Sequence, residues 1–231
     1  MKTACFLSLF LACLACMSQN FKEIEFGAYQ SPINIADSEC RIGNHTIRMH
    51  YNLSREHLIH DLHRVEVDYD SGSYVEFDRE EYQLMQFHFH TPSEHLVNAY
   101  RYPVEMHIVH SSVRTRDFLV IALLFDYGDE DSFIGQFLND VPVGMKHIDN
   151  DQKYLDINQE LLPEIFFSYY YYQGSLTTPP YSENVNWIID TRVHSCSKAQ
   201  VDRLVMLEGY NHREEQKIFD REVEKVIKFN N

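Results

Sequence analysis

Basic residues are scarce in this chain of 231 residues, which has 20 lysines and arginines against 35 aspartates and glutamates. The formal net charge is -15. Proteins that bind nucleic acid need clustered lysine and arginine to meet the phosphate backbone. The composition therefore argues against a nucleic-acid partner and is typical of an acidic protein surface.

Long apolar runs are also missing. The uncharged run from Ala4 to about Ala15 is shorter than the roughly 20 residues that span a bilayer. It follows Lys2, and no further charge occurs until Lys22, which is the outline of a signal peptide over residues 1–19. This predicts secretion to the extracellular or periplasmic side, with no stable membrane span after cleavage. The alternative is a lipoprotein anchor at Cys13 or Cys16, which is disfavoured because neither has Leu three residues before it.

Cysteine is rare beyond the predicted signal peptide, where only Cys40 and Cys196 remain. An exported protein can join them in a disulfide. Two separate buried thiols are the alternative, because the sequence does not place their Cα atoms within bridging distance.

Linkers, repeats and low-complexity tracts are absent after the signal peptide, and 44% of the residues are hydrophobic. We therefore expect one domain over residues 20–231. Strands are predicted where β-branched and aromatic residues cluster between turn formers. These segments are Val65 to Tyr69, Tyr74 to Phe77, Tyr82 to His90, Val104 to His110 and Leu119 to Phe125. The fold class is therefore mainly β, with Leu119 to Phe125 apolar enough for a central strand buried on both faces.

Helical patterns are short and few. Asp131 to Leu138, Asn158 to Leu162 and Ser197 to Leu207 are predicted as peripheral helices, the last with Ser197 as its N-cap.

Histidine is abundant, and ten of the thirteen lie between His45 and His110. His88 and His90 are two residues apart in a predicted strand, so both side chains point to the same face. His107 lies in the next strand-like segment, and the connection from Thr91 to Pro103 is long enough to return it antiparallel.

Three neutral imidazoles with an open fourth position describe a catalytic zinc site, although the same nitrogens also suit cobalt or iron. The alternative is a set of hydrogen-bonded core histidines. Gln86 and Glu105 favour the metal, because each lies two residues from a proposed ligand and can accept its other ring N–H. His95 and His110 are interpreted as buried hydrogen-bonding groups. No metal role is assigned to His45, His50, His57, His147 and His194.

Several motifs occur together in the order typical of one family. They include Gln30-Ser31-Pro32-Ile33-Asn34, Gln86-Phe87-His88-Phe89-His90, Glu105-Met106-His107, Leu176-Thr177-Thr178-Pro179-Pro180, Val185-Asn186-Trp187 and Asn211-His212-Arg213. From about residue 26 to 228 the sequence resembles the alpha-class carbonic anhydrases. The resemblance implies a large, mostly antiparallel twisted sheet with short peripheral helices.

The resemblance also implies a Zn2+ cofactor and the reversible hydration of carbon dioxide to bicarbonate and a proton. By position, His88, His90 and His107 match the zinc ligands. Thr177 matches the threonine that orients the zinc-bound hydroxide, and Glu94 matches the carboxylate that receives the threonine's proton.

Further family positions surround these. Those that match the groups accepting the other ring N–H of each ligand are Gln86, Glu105 and the backbone carbonyl of Asn211. Those that match the wall where carbon dioxide or bicarbonate rests are Val109, Val120, Leu176, Thr178, Val185 and Trp187.

His63 aligns with the family's proton-shuttle histidine, with His60 as a substitute, because Asp61-Leu62 stands where Asn-Gly is usual. Tyr181 occupies a position that is often cysteine in extracellular members. The run of tyrosines from Tyr169 to Tyr172 is interpreted as sheet support.

Two other functions compete with the enzyme. A catalytically inactive binding or storage protein on the same fold is disfavoured, because such relatives typically lose a ligand histidine. A zinc esterase is interpreted as a side activity, since the chain has no Gly-x-Ser-x-Gly motif.

Overall fold

The computed structural model describes residues 27–61, 64–144, 146–158 and 168–227. Strands dominate these ranges, which confirms the mainly β class. The strands are β1 (Asn34–Ile35), β2 (Arg41–Ile42), β3 (Ile47–His50), β4 (Ser54–Asp61), β5 (Arg64–Asp68), β6 (Tyr74–Phe77), β7 (Glu80–His90), β8 (Leu96–Val97), β9 (Tyr100–Arg101), β10 (Val104–Ser111), β11 (Phe118–Tyr127), β12 (Lys146–Leu155), β13 (Ser168–Gly174), β14 (Val185–Cys196) and β15 (Glu224–Ile227).

Twelve of the described strands form one large sheet. Its order is β12-β4-β5-β7-β10-β11-β14-β13-β15-β2, with β6 beside β7 and β3 beside β6. Neighbours are antiparallel except β11 with β14 and β15 with β2. The prediction of a large, mostly antiparallel sheet is confirmed. A small sheet of β1, β8 and β9 lies apart from it.

The apolar strand β11 lies at the centre of the sheet between β10 and β14. Because side chains alternate along a strand, β11 contributes side chains to two separate apolar clusters. Leu119, Ile121 and Leu123 enter the cluster beneath the helices, whereas Val120 and Ala122 enter a cluster on the opposite face. Burying each large apolar side chain contributes roughly 1.5–3 kcal/mol, so both faces of this strand stabilise the fold.

Two of the three predicted helices lie in the described ranges. Helix α1 spans Ser132–Phe137, and helix α2 spans Lys198–Glu208. Ser197 caps α2 in a reciprocal capping box with Gln200, which confirms the predicted N-cap. The predicted helix from Asn158 to Leu162 falls outside the described residues except for Asn158 itself. In the described part of the chain, neither helix is long and apolar enough to cross a membrane.

The tyrosine run forms most of β13 and supports the sheet, as predicted. Tyr169, Tyr170 and Tyr172 are each at most 5% exposed. The hydroxyls of Tyr170 and Tyr171 donate hydrogen bonds to Asp37 and Asn186.

Cys40 and Cys196 are free thiols, so the structure follows the alternative of two separate cysteines. Cys196 is fully buried in the cluster beneath the helices, whereas Cys40 packs against the cluster on the opposite face of the sheet. Burial raises the pKa of the Cys196 thiol to about 12, which makes it an inert core residue.

Candidate metal centre

The three predicted ligand histidines lie together on two neighbouring strands. His88 and His90 are on β7, and His107 on β10 stands directly opposite His88 in the antiparallel register. The ring centroids are 5.0 Å apart for His88 and His90, 5.2 Å for His88 and His107, and 4.6 Å for His90 and His107. The predicted return of the chain after Thr91 is therefore confirmed, and it closes a triangle of imidazoles.

Hydrogen bonds decide which nitrogen of each ring is available. His88 donates from Nδ1 to Oε1 of Gln86 at 2.9 Å. His107 donates from Nε2 to Oε1 of Glu105 at 2.7 Å. The nitrogens left to bind an ion are Nε2 of His88 and Nδ1 of His107.

The separation of these nitrogens suits one metal ion. His88 Nε2 and His90 Nε2 are 3.1 Å apart. Two nitrogens bonded to one tetrahedral zinc at about 2.0–2.1 Å would be about 3.3 Å apart. One ligand atom from each of the three rings lies within 4.8 Å of the others. The donor set and its spacing therefore fit a zinc site.

Burial keeps the rings of His88 and His90 neutral. It lowers the pKa of His88 well below its usual value and that of His90 to about 4, with the nearby rings adding to the effect on His88. A neutral imidazole is the form that binds metal, so no proton has to be displaced at neutral pH.

Asn211 anchors the end of β7 beside His90. Its side chain accepts from the Thr91 backbone N–H at 3.0 Å and donates to the Phe89 carbonyl at 3.1 Å. The predicted backbone carbonyl of Asn211 also interacts with the His90 ring and acts to raise its pKa. His90 Nδ1 is nevertheless buried without a short hydrogen bond within the described residues. The sequence pattern identified the carbonyl but not the two side-chain bonds that hold it.

Glu105 accepts four hydrogen bonds behind His107, the third predicted ligand. Its Oε1 accepts from His107 at 2.7 Å and from Nδ1 of His95 at 2.6 Å. Its Oε2 accepts the backbone N–H groups of Glu94 and His95, both at 2.8 Å. Burial raises the pKa of Glu105, but the two histidines outweigh it and hold the pKa well below the usual range. The carboxylate thus stays ionised, and it fixes the tautomer of His107.

His95 and His110 are buried hydrogen-bonding groups, as predicted. His95 Nε2 meets the Tyr172 hydroxyl at 2.6 Å. His110 donates from Nδ1 to the Leu119 carbonyl at 3.1 Å, and its Nε2 lies 2.9 Å from the Tyr51 hydroxyl.

The imidazole triangle lies in the wall of a cavity of about 880 Å³. Predicted wall residues that do line it are Val109, Val120, Leu176, Thr178 and Trp187. Val185 is the exception. Val185 is only 2% exposed, because it lies inside an apolar cluster. Phe118 and Leu176 pack against that cluster and form the cavity surface in its place.

Several residues of the cavity were not predicted from the sequence. Those that line the cavity without having been predicted are Asp61, Arg64, Phe118, Pro179 and Tyr210. Asp61 and Arg64 place charge in an otherwise largely apolar wall, and Arg64 forms an ion pair with Glu66 at 3.2 Å. Their only signal in the sequence was adjacency to the predicted shuttle at His63.

Glu94 and Thr177 are both buried, and Thr177 reaches the cavity. Oε1 of Glu94 accepts the backbone N–H of Arg213 at 2.8 Å. Oε2 is buried and has no hydrogen-bond partner among the described residues. The expected bond from Thr177 to Glu94 is not formed in the described structure, but Glu94 keeps a free oxygen for it.

The predicted proton shuttle, His63, lies outside the described residues. The alternative prediction, that His60 takes this role in the cavity, is wrong. His60 is 4% exposed, and its two ring nitrogens lie 2.7 Å from the Pro142 carbonyl and 3.0 Å from the Leu207 carbonyl. Asp61, the next residue on β4, lines the cavity, so alternation turns His60 to the other face of the sheet.

Tyr181, which replaces the cysteine common in extracellular relatives, has a contact of its own. The guanidinium of Arg213 lies 4.0 Å from the centre of its ring, a favourable cation–π distance. Arg213 also donates to the Ser31 carbonyl at 2.7 Å. This stacking supports the segment whose backbone holds Glu94.

A family model described as eukaryotic-type carbonic anhydrase matches residues 17–230. The chain belongs to the carbonic anhydrase family. A carbonic anhydrase from Nostoc sp. is 30% identical over 220 residues, which cover 91% of this chain and 81% of the relative. The resemblance on which the alpha-class assignment rested is thereby confirmed.

Solved structures agree. The alpha-carbonic anhydrase from Thermovibrio ammonificans, in complex with the inhibitor sulfanilamide, has a TM-score of 0.81 and 31% identity, over 87% of this chain and 88% of that one. Dioscorin complexed with ascorbate has a TM-score of 0.79 and 28% identity, over 89% of this chain and 88% of that one. The family and the carbonic anhydrases among these relatives and structures support a carbonic anhydrase enzyme with a small-molecule substrate.

Proposed function

We propose that this carbonic anhydrase catalyses the zinc-dependent, reversible hydration of carbon dioxide to bicarbonate and a proton. The observation that carries the proposal is the convergence of three imidazoles, His88, His90 and His107, in the wall of a largely apolar cavity. Each element of the cavity has a distinct part in that reaction.

Nε2 of His88, Nε2 of His90 and Nδ1 of His107 would hold the ion. A zinc ion bound there supplies Lewis-acid chemistry that lowers the pKa of a bound water to about 7. Gln86 and Glu105 keep the ligating nitrogens unprotonated by accepting the other ring N–H of His88 and His107.

The apolar wall receives carbon dioxide. Val109, Val120, Leu176 and Trp187 offer no hydrogen bonds to the gas from their side-chain carbons, and Trp187 points its N–H away to the Ser175 carbonyl at 3.0 Å. A nonpolar substrate needs only a dry, shaped surface. These residues would hold the carbon atom near the metal and exclude competing water.

Thr177 and Glu94 would orient the attacking oxygen. The Thr177 hydroxyl can donate to the free Oε2 of Glu94 and so accept a hydrogen bond from the cavity side, which aims the lone pair of the attacking oxygen at carbon dioxide. Thr178 would help to bind bicarbonate. We propose His63 as the group that relays the proton to solvent.

Stopped-flow hydration of carbon dioxide by the purified protein, with zinc measured on the same sample, tests the proposal. We expect about one zinc per chain and turnover that a sulfonamide inhibits. The His107→Ala variant should lose most of the zinc and nearly all activity. The matched control is His50→Ala, because His50 is an exposed histidine that stacks on Tyr74 at 4.5 Å, away from the cavity.

A His107→Ala variant that keeps both zinc and turnover would refute the ligand assignment. Zinc bound without turnover would instead favour the binding or storage alternative. The likeness to dioscorin, which was solved with ascorbate, is the observation that keeps this alternative in view.

We also propose that the enzyme is exported. The support is the short apolar run after Lys2, which lies outside the described residues. Amino-terminal sequencing of the protein recovered outside the cytoplasm would show cleavage near residue 19, whereas recovery of an intact amino terminus would contradict it.

A further inference from the structure

Two histidines and two aspartates come together on β4 and β12, away from the catalytic cavity. His57 on β4 stands directly opposite Asp149 on β12. His147 precedes Asp149 by two residues, so its side chain lies on the same face of the sheet. Neither histidine was predicted from the sequence to bind a metal.

The carboxylate of Asp149 lies between the two rings. Its Oδ1 is 2.7 Å from Nδ1 of His57 and 3.3 Å from Nε2 of His147. Ligand atoms about 2.0–2.2 Å from one ion are roughly 3 Å apart. Two of the three spacings needed for a shared ion are therefore present.

The other nitrogen of His57 is also partnered. Nε2 lies 3.3 Å from Oδ1 of Asp70. Arg55 holds Asp70 through Nε at 3.1 Å and through Nη2 at 3.0 Å. A carboxylate behind a histidine, itself fixed by other groups, is the arrangement that orients metal-binding imidazoles.

The electrostatics of this cluster suit a cation. Asp70 and Asp151 pair with Arg55, and Asp149 adds a third negative charge beside His57, so the cluster has an excess of negative charge when His57 is neutral. The hydrogen bond to Asp149 raises the pKa of His57. Protons and metal ions therefore compete for the same nitrogen.

We propose that His57, His147 and Asp149 form a second metal site, for a divalent transition ion such as copper or zinc, with Asp70 as the residue that orients His57. Two imidazoles and a carboxylate suit these ions, and copper binds most tightly in the general order of affinities. In the described structure the three groups do not converge closely enough to hold an ion, so closing the site requires the His147 side chain, which is 57% exposed, to move. Water would fill the remaining positions.

This site is separate from the catalytic one. His147, Ile59, Glu66 and His88 occupy successive positions in one row across β12, β4, β5 and β7. Three strand spacings place His147 roughly 14 Å from His88. The two sites therefore share no ligand residue.

The test is copper titration of zinc-loaded protein at pH 7.5, with bound metal counted by equilibrium dialysis and ligands identified by electron paramagnetic resonance. We expect one copper per chain beyond the zinc, with two nitrogen ligands. His147→Ala should weaken binding at least tenfold and remove one nitrogen from the spectrum. His147 is exposed, so the fold should survive this change. Asp149→Asn should also weaken binding, whereas the exposed-histidine control His50→Ala should not.

The proposal is overturned if copper binds only by releasing zinc, or if His147→Ala and Asp149→Asn bind copper as the unaltered protein does. It does not rest on the proposed carbonic anhydrase activity. A chain that took up no zinc would still show the difference of one copper between the unaltered protein and His147→Ala.

Discussion

Glu105→Gln is the substitution that most sharply tests the description of the metal centre. The carboxylate of Glu105 accepts four hydrogen bonds at 2.6 to 2.8 Å and donates none. An amide of the same shape has one accepting oxygen and one donating nitrogen. Whichever way it turns, its NH2 group faces two donors.

The two orientations have different costs. If the NH2 group faces the backbone N–H groups of Glu94 and His95, buried donors lose their acceptor, at a cost of about 1–3 kcal/mol each. If it faces His107 instead, Nε2 of that ring must become an acceptor, and the ring proton moves to Nδ1. That nitrogen is the one needed for the metal.

We therefore expect Glu105→Gln to weaken zinc binding 10- to 100-fold, which corresponds to about 1.4–2.7 kcal/mol, and to lower the free energy of unfolding of the metal-free protein. Competition with a chelator measures the first quantity, and urea unfolding measures the second. Glu81→Gln is the matched control, because Glu81 is exposed. Zinc affinity within threefold of the unaltered protein, together with an unchanged urea midpoint, would refute the proposed role of Glu105.

Three other predictions concern the proton path, the core and a helix. His63→Ala should lower turnover in dilute buffer, with partial rescue by added imidazole, whereas unchanged turnover would mean that protons leave by another route. Burial lowers the pKa of His110 to about 4, below its unfolded value of about 6.5. The unfolded chain therefore takes up this proton first, and the free energy of unfolding should fall by roughly 3 kcal/mol from pH 6.5 to 4. His110→Gln, whose amide can still donate to Leu119 and accept from Tyr51, should flatten that dependence in urea titrations, and an equally steep dependence would assign it to other groups. Ser197→Ala should lower the free energy of unfolding by about 1 kcal/mol through loss of the cap, and no change in the urea midpoint would contradict the capping role.

Local patterns were enough to predict which histidines share a strand face. Alternation along a strand places His88 and His90 on one face whatever the rest of the chain does. The apolar run of β11 predicts a central strand, because both faces of such a strand are buried. Ser197 with Gln200 is a capping signal contained in four consecutive residues. These features depend on short-range geometry, which the order of residues specifies directly.

The residues around the three histidines were harder to predict from the sequence. His60 and His63 are close in sequence, yet strand alternation turns His60 away from the cavity and onto two backbone carbonyls. Val185 belongs to a wall motif, but Phe118 and Leu176 form that part of the cavity surface. Such distinctions depend on which side chain packs in front of which.

The order of residues in this chain was sufficient for its class, its central strands and the shared strand face of His88 and His90, because each follows from a pattern over a few residues. Only the folded sheet decided that Cys40 and Cys196 lie on opposite faces and that Glu94 keeps a buried oxygen free. The same is true of Asp149, which lies between His57 and His147. Residues about 90 positions apart meet there because β12 pairs with β4, and that register is set by long-range packing rather than by any local pattern.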